Sequence, residues 1–301
     1  MMDDVRKPRS RSFVRAIVFL LLLLAVILIV CLRLPGCMDS NAGHVTLKVM
    51  SLNVAHGRGL SMQPVKQFFE DRETIESNLT EIAKLISRES PDVVALQEAD
   101  GPSFWSGDFN HVDFIAKRAG YEHSFRGEHM CTGIGSRKLS YGTALLSRFP
   151  LSQQNSFRFA RSLPTPRKGF VVAEVTMPGP GNLQVDVVSV HLDFLRKGAR
   201  ERQISLMIKK LSERKKRLIV MGDMNHTWEG RENNLRILAE KLNLKAFKPA
   251  EPGMSTFPSK EPKKCLDWIL ILQELEFVSY RVLSDKVSDH LGIMAEVGIN
   301  R

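Results

Sequence analysis

One short segment, residues 217–225, restricts the fold of this chain more than any other. Residues 218–221 form an apolar run with the length and β-branched content of a buried strand. Gly222 interrupts the run, and Asp223 and Asn225 follow two positions apart, so their side chains can point the same way. Polar side chains just past a central strand lie where α/β proteins usually bind ligands. Gly, Asp and Asn also form turns, so the segment alone is equally typical of an ordinary strand exit.

The remainder of the chain from residue 44 onwards interchanges strands and helices without an internal repeat. Apolar runs and alternation predict strands at 45–53, 92–97, 121–126, 141–147, 153–159, 169–177, 183–190, 217–222, 266–272, 277–283 and 292–298. Apolar residues at helical spacing, with start and stop signals, predict helices at 70–88, 111–119, 199–213 and 231–242. Many strands and few helices predict a mixed sheet or two packed sheets with helices outside.

The first 43 residues differ from all that follow. Five basic residues precede an unbroken apolar run from Ala16 to Leu32. A run of about 17–20 residues can cross a bilayer as a helix, and the basic flank keeps its N-terminal end in the cytoplasm. We therefore predict a cytoplasmic basic segment, a transmembrane signal anchor, a linker and an exported domain at residues 1–12, 13–33, 34–43 and 44–301.

Cys37 offers a second interpretation of the anchor. It follows small residues as the lipidated cysteine of bacterial lipoproteins does, although Arg33 and Pro35 fit that pattern poorly. An uncleaved, single-pass anchor is therefore the first interpretation, and lipidation at Cys37 is the second. Both place the exported domain at a membrane surface.

The charge of the exported domain favours an anionic partner. Residues 1–43 hold six Lys and Arg and three Asp and Glu, so the other 37 and 30 give residues 44–301 a net charge of +7. Nucleic acid, phospholipid head groups and phosphorylated metabolites are all suitable partners for such a charge. A generally solvated basic surface explains the same number equally well.

Polar residues recur where the predicted strands end or begin. Asn53, Glu98 and His191 each end an apolar strand, Asp267 begins one, and Asp289 and His290 precede the last. Any one of them alone is more commonly a cap or a turn residue. Together with Asp223 and Asn225, they predict one shared pocket.

This ordered set resembles the endonuclease/exonuclease/phosphatase superfamily, the DNase I-like group. The most specific matching pieces are the Leu-Gln-Glu, Gly-Asp-x-Asn and Ser-Asp-His segments, which end at Glu98, Asn225 and His290. The resemblance spans about residues 45–299. It implies an α/β (α+β) fold, a four-layer sandwich with two central mixed sheets, here preceded by one transmembrane helix.

The resemblance also implies a role for each site residue in phosphoester hydrolysis. Asn53, Glu98 and Asp289 would hold Mg²⁺, with Mn²⁺ as the alternative, because these ions prefer oxygen ligands. Asp223 would orient or deprotonate the attacking water, and Asn225 would hold the phosphate.

Two histidines complete the implied site. His290 would donate to a phosphoryl oxygen, with Asp267 orienting its other ring nitrogen. His191 would be a second phosphate contact or would donate a proton to the leaving group. Tyr141, in a strand similar to one beside the family's site, is interpreted as a core residue rather than a catalytic one.

The predicted function is a membrane-anchored, Mg²⁺-dependent phosphoester hydrolase that acts on a phosphodiester, such as a lipid head group. The tether and the basic charge favour that substrate, because they hold the domain near phospholipids. The alternative is an exported, membrane-tethered nuclease. A third hypothesis, a non-catalytic phosphate-binding module, is disfavoured because every metal and phosphate residue is present.

Overall fold

The computed structural model describes residues 45–60, 70–134, 137–178, 182–230, 232–248 and 252–299. The predicted basic segment, anchor and linker at residues 1–43, and Cys37 within them, lie outside the described residues. Among the described residues, no helix has both the length and the apolar character needed to cross a membrane.

The described part of the chain contains α-helices, β-strands and one 3₁₀ turn. The helices are α1 (Arg72–Glu89), α2 (His111–Ala119), α3 (Lys197–Ser212) and α4 (Asn234–Lys241), and the 3₁₀ turn is Ala55–Gly57. The strands are β1 (Val45–Asn53), β2 (Val93–Gln97), β3 (His123–Thr132), β4 (Leu139–Ser147), β5 (Leu151–Arg158), β6 (Gly169–Met177), β7 (Leu183–His191), β8 (Arg217–Asp223), β9 (Leu244–Ala246), β10 (Asp267–Leu272), β11 (Glu276–Val282) and β12 (Ile293–Ile299).

The predicted elements are present, with two informative differences. Strand β9 was not predicted, because three residues are too few to show alternation. Gly222 does not interrupt the strand as predicted, since β8 continues through it to Asp223. Gly222 has a φ of 150° and lies so close to the Val190 carbonyl oxygen that a side chain would collide with it. Glycine therefore permits the close approach of β7 and β8 just before Asp223.

The strands form two six-stranded sheets, in the orders β11-β12-β1-β2-β4-β3 and β5-β6-β7-β8-β10-β9. Both are mixed, because β1 pairs with β2 and β7 with β8 in parallel, whereas their other neighbours are antiparallel. Helices α1 and α2 pack on the outer face of the first sheet, and α3 and α4 on the outer face of the second. The inner faces pack against each other. This is the four-layer sandwich that the resemblance implied.

The apolar layer between the sheets gives way to hydrogen bonds at one end, where β1, β2, β7 and β8 have their carboxyl ends. Gln97, of the Leu-Gln-Glu segment, donates from Nε2 to Ser189 Oγ over 3.1 Å. Ser189 Oγ donates in turn to the Leu96 carbonyl oxygen over 2.9 Å. Because these bonds join the two sheets, they hold the strand ends of both sheets in fixed relative positions.

Candidate active site

The predicted site residues meet in one cavity of about 320 Å³ at the carboxyl ends of the parallel strands. Its lining includes Asn53, Glu98, His191, Asp223, Asn225, Asp289 and His290. The remaining predicted residue, Asp267, is fully buried behind His290. The structure thus brings together all of the predicted residues, which come from both sheets.

Strand register explains why three of these side chains are neighbours. His191 at the end of β7 is the register partner of Asp223 on β8, and Asp267 on β10 is its partner on the other side. Adjacent strands lie about 4.8 Å apart, so matched positions on the same face bring their side chains into contact range.

A buried carboxylate holds His290. Nδ1 of His290 lies 2.8 Å from Oδ2 of Asp267, and the Thr256 hydroxyl donates to the same oxygen over 2.6 Å. Burial by itself would lower the pKa of His290, but the negative charges of Asp267 and Asp223 outweigh it and raise this pKa to about 10. The imidazole is therefore protonated at neutral pH, and Asp267 fixes its orientation.

Asp223 is the most contacted carboxylate in the cavity. Asn53 Nδ2 donates to its Oδ2 over 3.1 Å, and the Asn225 backbone N–H donates to its Oδ1 over 2.9 Å. Burial raises the pKa of Asp223 to about 7, with the Asp267 charge adding to the shift and His290 opposing it. A carboxylate with this pKa can accept a proton from water near neutral pH.

His191 contacts two residues that the sequence did not assign to the site. Its Nδ1 lies 2.8 Å from the Tyr141 hydroxyl, and its Nε2 lies 2.6 Å from the Lys168 ammonium. Nε2 also lies 3.3 Å from Asp223 Oδ2, a longer contact than the one with Lys168. Burial lowers the pKa of Lys168. With Lys168 as an ammonium, which can only donate, Nε2 accepts from it and the ring proton is on Nδ1. Burial and the nearby Lys168 charge lower the pKa of His191 well below its ordinary value, so the ring is neutral.

Glu98, Asp289 and Asn53 are suitable for holding a divalent ion. Burial raises the pKa of Asp289, and the nearby Glu98 charge raises it further. Asn53 Oδ1 accepts one hydrogen bond from the Ala55 backbone N–H and retains a second lone pair. Two carboxylates and a carboxamide that line one cavity form an oxygen donor set that fits Mg²⁺ or Mn²⁺.

Glu98 is held in place from outside the cavity. Its φ of 53° is in the left-handed region that side chains other than glycine seldom adopt. His56 Nε2 lies 3.1 Å from Glu98 Oε2, and His56 Nδ1 lies 2.9 Å from Asp100 Oδ1. Burial would raise the pKa of Glu98, but the positive charges of His56 and Lys168 outweigh it and lower this pKa. Glu98 is therefore an ionised carboxylate, as a metal ligand must be.

Asp223, Asp267 and His290 also bring one potential ligand atom each to within 4.8 Å of one another. An ion bound by Nδ1 of His290 and Oδ2 of Asp267 would have to break the hydrogen bond between those atoms. His290 would also have to be neutral, whereas its raised pKa keeps it protonated. This trio is therefore better suited to proton transfer than to metal binding.

Three residues of the site were missed or set aside at the level of sequence. Lys168 directly precedes β6, and the first residue of that strand is the register partner of His191. Tyr141 lies in a strand whose core interpretation is also correct, because its ring is buried. Thr256 lies in the segment before β10 and was not assigned to the site. Only the tertiary structure shows that Tyr141 and Lys168 reach His191 and that Thr256 reaches Asp267.

Comparisons with known proteins agree with this geometry. A model described as "Endonuclease/Exonuclease/phosphatase family" matches residues 50–290. An endonuclease/exonuclease/phosphatase from Beutenbergia cavernae is 21% identical with a TM-score of 0.66, covering 85% of this chain and 72% of its own. The Bacteroides thetaiotaomicron mannosyl-6-phosphatase Bt3783 is 15% identical with a TM-score of 0.64, covering 83% and 99%.

A third solved structure, D. rerio TDP2 with a single-strand DNA product, is 17% identical with a TM-score of 0.60, covering 84% of this chain and 98% of its own. At these identities, the solved structures show that the fold is shared. No curated protein was found to match the chain.

Proposed function

The chain belongs to the endonuclease/exonuclease/phosphatase family, and from this premise we propose that it is a divalent-metal-dependent hydrolase of a phosphodiester at a membrane surface. The observation that supports hydrolysis is the pairing of two groups in one cavity. Asp223, with a pKa of about 7, can take a proton from water, while His290, with a pKa of about 10, remains a donor. Two neighbouring groups with such different pKa values suit opposite roles in acid–base catalysis.

In the proposed reaction, Asp223 accepts a proton from the attacking water. Asn225 donates one Nδ2 hydrogen to the Leu192 carbonyl oxygen over 3.0 Å and keeps the second for a phosphoryl oxygen. His290 donates from Nε2 to another phosphoryl oxygen, because Asp267 occupies its Nδ1. These donors are oriented before the substrate arrives, which is how an enzyme stabilises charge that develops in the transition state.

We propose that Lys168, rather than His191, supplies the positive charge beside the leaving oxygen. His191 Nε2 accepts from Lys168 and has no proton to give in this arrangement. His191 and Tyr141 then orient the Lys168 ammonium, which contacts both of them.

Asn53, Glu98 and Asp289 would hold the divalent ion. When bound, such an ion supplies a Lewis acid that neutralises charge on phosphoryl oxygens. Lys168 lies 3.8 Å from Glu98 Oε1, so the ammonium and the proposed ion would act on the same phosphate from neighbouring positions.

Exposed apolar side chains on loops, one of which lines the cavity, support a lipid substrate. They are Phe104, Ile134, Leu163, Phe194 and Leu195, which we call the apolar rim. Phe194, 57% exposed, also lines the cavity. The Thr165 hydroxyl donates to Asp193 over 2.6 Å and joins the loop of Leu163 to that of Phe194.

Basic residues stand beside these apolar side chains. Exposed Arg161 lies two residues before Leu163, and exposed Arg196 directly follows Leu195. Apolar side chains next to cations suit the surface of an anionic bilayer, where both groups find a favourable environment. An N-terminal membrane anchor at residues 13–33, which is also part of this proposal, would hold the cavity close to that surface.

A tethered nuclease is the second candidate. The net charge of +7 on residues 44–301 suits nucleic acid as well as lipid. D. rerio TDP2 was solved with a single-strand DNA product, and the Bacteroides relative is named a mannosyl-6-phosphatase, so the shared fold accommodates more than one kind of phosphoester.

The test uses the full-length protein reconstituted into anionic phospholipid vesicles with Mg²⁺. We expect release of a phosphorylated head group that is abolished by Asp223→Ala and by excess EDTA. Cleavage of duplex or single-stranded DNA without head-group release would instead establish the nuclease. Full activity in excess EDTA would contradict the metal-dependent mechanism, and inactivity of the folded protein on both substrate classes would contradict the proposed lipid and nucleic-acid substrates.

The apolar rim is tested by Leu163→Ser combined with Phe194→Ser. This variant should lose turnover on vesicles but retain it on a water-soluble phosphodiester. The matched control is Val278→Ser, which removes an equally exposed apolar side chain on β11, outside the rim. Equal loss of vesicle turnover in both variants would contradict a role for the rim in lipid contact.

A further inference from the structure

A second cavity of about 350 Å³ adjoins the catalytic cavity. The two share the lining residues Glu98, Lys168, Phe194 and Asp289. The second cavity is also lined by Arg58 and Trp105, neither of which has a role in the proposed hydrolysis. We call this cavity the arginine pocket.

Arg58 is buried in the arginine pocket with donors that no described residue accepts. The residue is 6% exposed, and its Nε and Nη2 atoms are buried without a hydrogen-bond partner among the described residues. The centre of the guanidinium lies 4.5 Å from the centre of the Trp105 ring, so one face of the group is covered. Burial lowers the pKa of Arg58, although the group remains a cation.

Asp100 and Glu98, whose negative charges act on Arg58, already contact other side chains. Asp100 Oδ1 contacts His56 Nδ1 at 2.9 Å, and Asp100 Oδ2 accepts from Trp105 Nε1 and from the Ser106 hydroxyl, each over 2.8 Å. Glu98 Oε2 contacts His56 Nε2 at 3.1 Å. Asp100 and Glu98 therefore act on Arg58 through their charge, while the described part of the chain shows no ion pair between them and the guanidinium.

A buried guanidinium with unpaired donors is unfavourable unless something else pairs with it. The planar fork of an arginine matches two oxygens of a phosphate group. An arginine with a purely structural role would direct its donors at atoms of the chain. Arg58 instead lines a cavity that opens onto the proposed phosphate site.

We propose that Arg58 binds a second phosphate group of the substrate, one that is not hydrolysed, in the arginine pocket. The proposal rests on the proposed function, because the first phosphate is the one placed at Asp223 and His290. Lys168 borders both cavities and lies between the two phosphates. The preferred substrate is therefore a phosphoester that has a second phosphate a short distance away.

The binding test uses full-length Asp223→Ala protein with saturating Mg²⁺ in a non-ionic detergent, so that no turnover is needed. The probes are propyl phosphate and the bisphosphates of ethane-, propane-, butane- and pentanediol, measured by calorimetry. We expect at least one bisphosphate to bind about 10-fold more tightly than propyl phosphate, as a charge-assisted pair of hydrogen bonds would provide. Adding Arg58→Gln should reduce this ratio to about 1, and Arg58→Lys should restore only part of it.

The matched control is Lys264→Gln, which removes one positive charge from the exposed lining of the catalytic cavity. It should weaken both ligands alike and leave their ratio unchanged. An unchanged ratio in folded Arg58→Gln would overturn the proposal, and so would a ratio that falls equally in Lys264→Gln. A change in Mg²⁺ affinity with an unchanged ratio would show that Arg58 only screens Glu98 and Asp289.

Turnover by protein with Asp223 intact then distinguishes the sources of the second phosphate. One comparison uses a dinucleotide with and without a 5′-phosphate, and the other uses glycerophosphoinositol with and without an additional ring phosphate. In one of them, the added phosphate should improve kcat/KM about 10-fold, and Arg58→Gln should abolish the gain. Binding of propyl phosphate without any gain for a bisphosphate would contradict this proposal alone, whereas failure of all phosphates to bind would contradict the proposed function.

Discussion

The catalytic cavity and the arginine pocket share lining residues, but their charged groups differ in whether the chain provides partners for them. In the catalytic cavity, His290 has Asp267 at 2.8 Å, and Asp223 accepts from Asn53 and Asn225. In the arginine pocket, Arg58 has buried donors without a partner in the described part of the chain. Residues of the protein thus orient the catalytic groups, whereas we propose that a ligand pairs with Arg58. Under the proposed function, this difference would separate residues that perform chemistry from a residue that selects a substrate.

The largest expected effect comes from removing the charge of the catalytic cavity. Asp223→Asn should reduce kcat by about 10³- to 10⁴-fold, because the carboxamide cannot accept the proton of the attacking water. Binding of the preferred bisphosphate should remain, since Arg58 is untouched. Steady-state kinetics measures kcat, and calorimetry on the same preparation measures bisphosphate binding. Loss of the bisphosphate preference together with kcat would show that the two cavities are not separate in function.

Two buried arginines, Arg200 and Arg58, differ in whether the described chain provides partners for them. Arg200, on α3, is 7% exposed, nearly the same as Arg58, but it donates to both oxygens of Glu232 and to the Asp193 carbonyl oxygen. Arg200→Gln should lower the free energy of unfolding by about 3 kcal/mol, because it leaves a partly buried carboxylate without its partner.

Arg58→Gln should change the free energy of unfolding by less than about 1 kcal/mol, or raise it slightly, because its buried Nε and Nη2 have no hydrogen-bond partner among the described residues. Urea unfolding of both variants, monitored by circular dichroism, provides the measurement. A loss in Arg58→Gln as large as that in Arg200→Gln would identify Arg58 as a structural residue and weaken the contrast between the pockets.

The smaller of the two expected effects on catalysis concerns the pKa of His290. The Asp267 and Asp223 charges raise this pKa to about 10, so the donor remains protonated well above neutral pH. Asp267→Asn should lower it toward the ordinary value, since one of the two negative charges is removed. We expect kcat/KM to fall about 10- to 100-fold at neutral pH, as is usual when a residue that orients a catalytic imidazole is lost.

The pH profile distinguishes this role of Asp267 from simple damage to the fold. For the wild-type protein, the alkaline limb of kcat/KM should begin near the pKa of His290, about 10. In Asp267→Asn, kcat/KM should already decline at lower pH, because the neutral imidazole cannot donate from Nε2 to the phosphate. A uniform loss with an unchanged alkaline limb would contradict the assignment.

Much of the fold and of the cavity could be predicted because both depend on local signals. The carboxyl ends of buried strands are visible as apolar runs that stop at Asn53, Glu98 and His191, and the order of the polar residues resembles that of a family. Helix α2 was predicted with its observed bounds, because Gly120 closes it, and the structure shows Gly120 in a left-handed conformation.

Lys168 and Arg58 could not be assigned in the same way. Each is one basic residue among the many of a chain with 43 Lys and Arg, and nothing adjacent in the sequence distinguishes either. Lys168 belongs to the site because β6 pairs with β7 and brings its neighbour Gly169 opposite His191. Arg58 is distinguished by burial of donors that have no partner among the described residues, and burial is a property of packing.

The resemblance to a family implied the four-layer class of fold and the oxygen donors. The sequence by itself determined a mixed sheet or two packed sheets with helices outside, and the strand ends that supply polar side chains. Those features follow from hydrophobic periodicity and residue chemistry, which act over a few neighbouring positions. Only the tertiary structure decided how charges are paired. His290 is protonated because Asp267 and Asp223 are close to it, and His191 is neutral because it is buried and close to the Lys168 charge. Arg58 has buried donors without a partner among the described residues, because the Asp100 carboxylate already contacts other side chains. Electrostatic energies depend on the distances between charged groups and on their burial, and both are set by tertiary packing rather than by neighbouring positions in the sequence.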